Sequence, residues 1–322
     1  MKFFIHFACA CIVSVFAATA QAADIYPTKP ITLINPYAPG GPADVIGRIV
    51  GKELSDDLKQ PVVMLNKAGA GAAIGATFVA QSPHDGYTLL LGTAAAHSVT
   101  PVLTEVAYDG LKDFKFIGMA GSVFSVLVVH PSVAANNLKE FIALAKSDPG
   151  KLNFATTGLG TSTHIGAQML QQGTGIKLAH IPYKGAAPAL NDLVAGQVQV
   201  GFANISAVKG FIDSGLLKPI AFAGPKRSEA LPNLPTFAES GLPGFESSTW
   251  YVVAAPAGTP QPVVDRLARA IANVHKSPEY RRQMKALDVD VLDMSPAEVT
   301  AFVQQDAKRT LAIIKAAGID LK

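Results

Sequence analysis

Only two cysteines occur in the 322 residues, Cys9 and Cys11, and both lie near the N-terminus. A chain trimmed beyond them holds no thiol, which excludes disulfides, thiolate metal centres and a cysteine nucleophile together. Charge is also scarce: 16% of residues are Asp, Glu, Lys or Arg, and 27 basic against 24 acidic side chains leave +3. So mild an excess gives no electrostatic footprint for nucleic acid or an anionic membrane. Beyond the N-terminus no apolar run approaches the roughly 18 residues that a spanning helix needs. The best, 117–129, is broken by Gly121 and Ser122, so a chain that is not membrane-embedded is expected.

Enzyme signatures are equally thin. Gly69-Ala70-Gly71-Ala72-Ala73-Ile74 lacks the third glycine of a dinucleotide fingerprint, and Gly160-Thr161-Ser162-Thr163-His164 fails the G-x-S-x-G elbow at its last position. No P-loop with Gly-Lys-Ser/Thr occurs, and the histidines lack the close pairing of zinc motifs. No cofactor, no metal and no enzymatic activity are expected.

What is present begins with a leader. Lys2 precedes an apolar stretch over 3–18, and Ala20-Gln21-Ala22 fits the small-x-small rule for signal cleavage. Removal of residues 1–22 is predicted, with cleavage one residue later as the alternative, which makes the mature chain an exported, periplasmic protein. Losing Lys2 leaves 26 basic against 24 acidic residues, or +2. Roughly 300 residues then remain, enough for two domains.

Short apolar runs alternate with amphipathic stretches, the pattern of an α/β protein with largely parallel strands. Strands are predicted over 31–34, 62–65, 88–91, 114–117, 126–129, 152–155, 198–202, 219–222 and 250–253. Helical periodicity marks 44–58, 138–146, 162–172, 187–195, 262–274 and 296–317. In the first of these Ile46, Val50, Leu54 and Leu58 recur every four residues, and Asp44 is expected as N-cap. The proline-rich stretch 224–244 predicts a long surface connection.

In open parallel sheets ligands bind beyond the carboxyl ends of strands, where helix starts present unpaired N–H groups and about half a positive charge. Three junctions rich in small residues fit this. The first holds Tyr37, Pro39, Gly40, Gly41, Pro42 and Asp44; the second Thr93, Ala94, His97 and Ser98; the third Thr156, Thr157, Thr161, Ser162, Thr163 and His164. Asn204, at the end of another strand, joins them as a candidate. No Lys or Arg occurs in the three loops, so backbone dipoles, helped by hydroxyls, would hold a carboxylate. Plainer roles compete. Asp44 and Arg48 can simply pair one helical turn apart, the glycines can serve a tight turn, and Lys184 reads as a solvated turn residue. Tyr37 would stack on an aromatic guest or close the pocket.

Several segments then carry a resemblance in order: Pro36-Tyr37-Ala38-Pro39-Gly40-Gly41 with Asp44 and Arg48, Asn66-Lys67-Ala68-Gly69, Asp85-Gly86-Tyr87-Thr88, Pro182-Tyr183-Lys184-Gly185 and Ala255-Pro256-Ala257-Gly258-Thr259-Pro260. From Tyr26 onward the chain resembles the Bug-type extracytoplasmic receptors of tripartite tricarboxylate transporters. The resemblance implies a periplasmic binding protein-like fold of type II, with two α/β domains and a ligand cleft between them. It places residues 24–123 plus 247–322 in domain 1 and 124–246 in domain 2. It also implies a small carboxylate ligand (organic acid, aromatic acid or acidic amino acid), membrane transporter subunits as partners, and a monomer. Two departures stand out: Ala43 where the family often has Ser or Thr, and Thr310 where a tryptophan is frequent. The alternatives are a secreted α/β hydrolase or isomerase using Ser162 or Asp44 near His164, and a sensor receptor for signalling.

Overall fold

The computed structural model describes residues 26–316. The predicted leader and its cleavage site lie outside the described residues. Nine strands form one curled sheet in the order β2-β1-β3-β9-β4-β7-β5-β6, with β8 paired to β4. The strands are β1 (Ile31–Asn35), β2 (Val62–Asn66), β3 (Thr88–Gly92), β4 (Phe114–Val129), β5 (Asn153–Thr156), β6 (Ala179–Pro182), β7 (Val200–Asn204), β8 (Lys218–Phe222) and β9 (Ser248–Pro256). The two outer groups, β1 with β2 and β3, and β5 with β6 and β7, are parallel; β4 and β9 run antiparallel to their neighbours.

Among the described residues ten α-helices flank the sheet: α1 (Pro42–Leu58), α2 (Ala73–Ala80), α3 (Thr100–Leu103), α4 (Leu138–Ser147), α5 (Ser162–Thr174), α6 (Ala186–Val194), α7 (Ile205–Asp213), α8 (Gln261–Lys276), α9 (Pro278–Ala286) and α10 (Pro296–Ala316). None is long and apolar enough to cross a membrane. α1 forms because Ile46, Val50, Leu54 and Leu58 place one buried stripe against the sheet. Proline in its first turn presets the entry, and Lys59 in a left-handed conformation ends it.

Two expectations are corrected. Asp44 is not the N-cap. The helix starts two residues earlier at Pro42, and Gly41 occupies the cap. The strands expected over 114–117 and 126–129 are one continuous strand, β4, whose register slips between Phe116 and Gly118 and again between Met119 and Gly121. Those slips are bulges that bend a long strand, which is why Gly121 and Ser122 resemble a break in the sequence.

β4 and β9 join the halves of the sheet. Phe114 to Phe124 of β4 pair with β9, and from Ser125 onward the partners become β7 and β8. The chain passes from one half to the other along β4 and returns along β9. Trp250, buried on β9, donates its indole N–H to Asp306 of α10 at 3.0 Å and meets Phe302 edge-on, so the last helix is pinned across the back of this junction. The stretch after β8 forms no regular element but is ordered by Phe222 and Thr236, which bridge in parallel.

Candidate functional site

The carboxyl ends of β1, β3, β5 and β7 point to a common cavity. The turn after β1 contributes Tyr37, Gly41 and Pro42, and the end of β3 contributes Thr93 and Ala94. From the other half come Thr156 and Thr157 at the end of β5, Thr161, Ser162 and Thr163 at the start of α5, and Asn204 at the end of β7. Among the described residues lining the cavity none is Lys, Arg, His, Asp or Glu.

Hydroxyl protons can be followed one by one. Thr161 Oγ1 donates to the Gly158 carbonyl at 2.7 Å, so its contact with Thr163 Oγ1 at 3.0 Å must be donated by Thr163. Thr157 Oγ1 then donates to Thr163 at 3.1 Å. All three threonine protons are spent inside the loop. What these loops leave free to donate is therefore backbone: Ala43 in α1 and Ser162 and Thr163 in α5 carry N–H groups that no carbonyl of their own helices reaches. The hydroxyls build the turn, contrary to the expectation that they add donors.

A second chain of donors has a free end. Thr249 Oγ1 donates to Asn204 Oδ1 at 2.9 Å, so Ser162 Oγ is the donor in its very short contact with Thr249. Asn204 Nδ2 donates to the Tyr251 hydroxyl at 3.1 Å. The Tyr251 proton is left to donate outward, and burial pushes its pKa well up, so the phenol stays neutral. Tyr37 and Thr93 share a hydrogen bond of 2.8 Å, which leaves one proton of that pair free. Burial raises the Tyr37 phenol to about 12 although the Thr93 bond pulls the other way.

Other expected site residues are placed elsewhere. Pro39, Gly40, Asp44, His97, Ser98 and His164 do not line the cavity. Asp44 accepts from Arg48 at 3.1 Å, Asn66 at 3.0 Å and the Gly40 N–H at 3.2 Å. Burial acts to raise its carboxyl pKa, but those bonds outweigh it and the net direction is down. Asp44 thus staples the first loop to β2 rather than facing a guest. Asp44→Ala is expected to cost about 1–3 kcal/mol, since it removes the buried acceptor that three donors share; urea unfolding of wild type and variant checks this. The ring of His97 turns back into the core, its Nδ1–H donating to the Gly110 carbonyl at 2.8 Å between Phe114 and Phe116.

His164 stacks on His180 with centroids 4.4 Å apart and accepts the Gly160 N–H on Nδ1. Ser162 spends its proton on Thr249, so the pair lacks the hydrogen bond that a nucleophile and its base require. Sequence reasoning missed Thr249 and Tyr251 on β9 and the small face of α6. Only the pairing of β9 with β4 turns the two hydroxyls inward.

The two halves touch around the cavity. The Ala38 N–H donates to the Lys184 carbonyl at 3.0 Å, and a Cβ placed on Gly41 would lie 3.3 Å from that of Ala186. The Lys184 side chain is exposed, as expected for a turn residue.

Comparison with known proteins settles what this architecture belongs to. The model of the tripartite tricarboxylate transporter family receptor matches residues 46–319. The chain belongs to that family. The curated protein BugT of Bordetella pertussis is 36% identical over 318 residues, covering 97% of this chain and 98% of BugT. Among solved structures, a Rhodopseudomonas palustris protein determined with adipate superposes with a TM-score of 0.88 at 31% identity, covering 91% of this chain and 98% of its own. MatC from Rhodopseudomonas palustris with bound malate gives 0.86 at 29% identity, covering 90% and 100%. The receptor therefore has the periplasmic binding protein fold, and its family is one of solute-binding receptors rather than enzymes.

Proposed function

We propose that the receptor closes two α/β domains, 24–123 with 247–322 and 124–246, over a small organic acid and presents the closed form to membrane subunits of a tripartite carrier. The observation that carries this is the convergence of two helix starts, at Gly41–Ala43 and Thr161–Thr163, from opposite halves on one cavity free of basic side chains. Each start offers about half a positive charge and free N–H donors, so a single carboxylate between them satisfies both. Bonds to a charged group are worth about 1.5–3 kcal/mol each, and four or five offset desolvation and ordering enough for micromolar binding. Neither half alone supplies the full set. A carboxylate therefore binds the closed arrangement better than the open one and shifts the population toward it. The contacts between Ala38 and Lys184 and between Ser162 and Thr249 support assigning the present arrangement to the closed form.

The relatives determined with adipate and with malate support the same ligand chemistry. A thermal-shift panel of organic acids tests it. At a concentration about 1,000-fold above Kd, a true ligand adds about 4 kcal/mol, a rise of several degrees in Tm. X-ray scattering should record a smaller radius of gyration with the same acid. No rise and no compaction across the panel would sink the proposal.

A further inference from the structure

We infer that the membrane subunit of the carrier docks on the apolar face around α2 and Leu159, a surface completed only when the two halves meet; this rests on the receptor reading above and adds the place of contact. Val63, Leu65, Ile74, Phe78 and Leu159 are five of the seven large apolar side chains left exposed among the described residues, the others being Val45 and Leu216. Ile74, Phe78 and Leu159 are 52%, 43% and 43% open to solvent, and apolar side chains left in water together mark a contact site. The sequence carries no charged residue from Ala68 to Pro83, so α2 has no solvated side of its own.

Contacts tie these residues into one patch that crosses the seam. Val63 and Leu65 leave the same face of β2, and two residues further on the Lys67 ammonium lies 4.1 Å from the centroid of the Phe78 ring. Ile74 is one helical turn before Phe78, and its Cδ1 lies 2.6 Å from where a Cβ on Gly69 would stand. Two residues later Gly71 meets the Leu159 carbonyl of the other half. Beside this contact runs a groove walled by Ala70, Gly71 and Leu103 of the first half and by Leu159, Pro182 and Tyr183 of the second. When the halves part, the groove opens and Leu159 leaves the patch. A partner seated there binds the closed receptor better than the open one, which an apolar face on one half alone would not achieve, and by linkage it favours closure in return.

The rim sets the sign of the occupant. Lys67 lies over Phe78, Lys184 and Glu105 line the groove, and none of the three enters an ion pair among the described residues. Two cations against one anion suit an apolar element of the membrane subunit with an acidic residue next to its anchoring side chain.

Closure can be set without any solute. A Cβ on Gly41 would lie 3.3 Å from that of Ala186, close to the roughly 3.5–4.5 Å that a disulfide spans, so Gly41→Cys/Ala186→Cys holds the halves together when oxidised and frees them when reduced. Co-sedimentation then measures binding of this double variant to phosphatidylethanolamine and phosphatidylglycerol vesicles with and without the membrane subunits of the carrier. The oxidised form should bind the subunit-bearing vesicles at least about tenfold tighter than the reduced form. Adding Phe78→Asp should weaken that binding at least about tenfold, and adding Leu216→Asp, which lies off the patch, should not. Ile74→Asp, at the more exposed position, takes its place if the Phe78 variant does not fold. Equal binding by the patch and Leu216 variants, or by oxidised and reduced forms, overturns the inference and leaves the receptor reading intact. So does equal binding to vesicles without subunits, which gives the face to lipid, or a dimer of the oxidised form that the patch variants abolish, which gives it to a second copy. No binding by any form to the subunit-bearing vesicles overturns both.

Discussion

Lowering the pH from 7 to 4 is expected to destabilise the fold by at least about 3 kcal/mol, seen as a fall in the urea midpoint that begins near pH 6.5. Three histidines are responsible. Burial lowers the pKa of His97 to about 4, although its bond to the Gly110 carbonyl opposes the shift. Burial, aided by the facing His180, takes His164 to about 4, and burial does the same to His180. An unfolded chain binds these protons near 6.5, so between 6.5 and 4 the unfolded state holds more protons and stability falls as pH falls. The contribution is complete above pH 6.5 and lost by about pH 4.

His97 alone accounts for about 3 kcal/mol, because its ring is enclosed and a shift of one unit is about 1.4 kcal/mol. His164 and His180 add less than their shifts imply, since His180 keeps some solvent contact. Carboxylates with lowered pKa, such as Asp44 and Asp109, act only below their ordinary range and leave the upper half of the window to the histidines. Asp290, raised by burial, acts in the opposite sense. Unfolding midpoints that stay level from pH 6.5 to 4.5 would contradict this account.

The same histidines show how far the sequence could be read. His97 and His164 stand in junctions that do build the cavity wall, yet their rings turn away from it, a matter of rotamer and packing that no local pattern encodes. The parallel strands were legible because strands buried on both faces read as short apolar runs, as in Ile31 to Ile34 or Leu89 to Leu91. β6 was not, because Ala179-His180-Ile181-Pro182 is a half-exposed edge strand. α9 was hidden by polarity, having only Tyr280 and Met284 to bury, one turn apart. α2 failed in the opposite way: it is apolar almost all round and leaves Ile74 and Phe78 exposed.

Of the cavity, the glycine- and threonine-rich turns were visible since strand–helix junctions must supply free N–H groups wherever they occur. Its apolar wall was not. Ala186, Ala189, Leu190 and Leu193 have the spacing of any core-facing helix, and only the tertiary placement of α6 separates a cavity wall from ordinary packing. Tyr251 and Thr249 depend on the register between β9 and β4, which is set by the bulge between Met119 and Gly121, directly opposite Tyr251.

Gly71→Ala is expected to weaken binding of the cognate acid about 100-fold while leaving the unliganded fold within about 1–2 kcal/mol of wild type. Gly71 lies in the left-handed region, at φ 58°, at the edge of the first half, and its Cβ position is 2.5 Å from the Leu159 carbonyl oxygen of the other half. That oxygen belongs to backbone and cannot swing aside. The second half must back away, carrying the N–H groups of Ser162 and Thr163 out of reach of a carboxylate held at Gly41–Ala43. Loss of two charged hydrogen bonds at about 1.5 kcal/mol each gives the 100-fold figure. Gly150→Ala separates this from backbone strain. Gly150 has φ 83°, comparably left-handed, but nothing lies within 4 Å of its Cβ position. Calorimetry should find wild-type affinity in the Gly150 variant and the loss only in the Gly71 variant, which scattering should show still extended at saturating ligand. Equal affinities in the two variants would mean that closure does not run through the Gly71–Leu159 contact, and the two-domain mechanism would lose its steric basis.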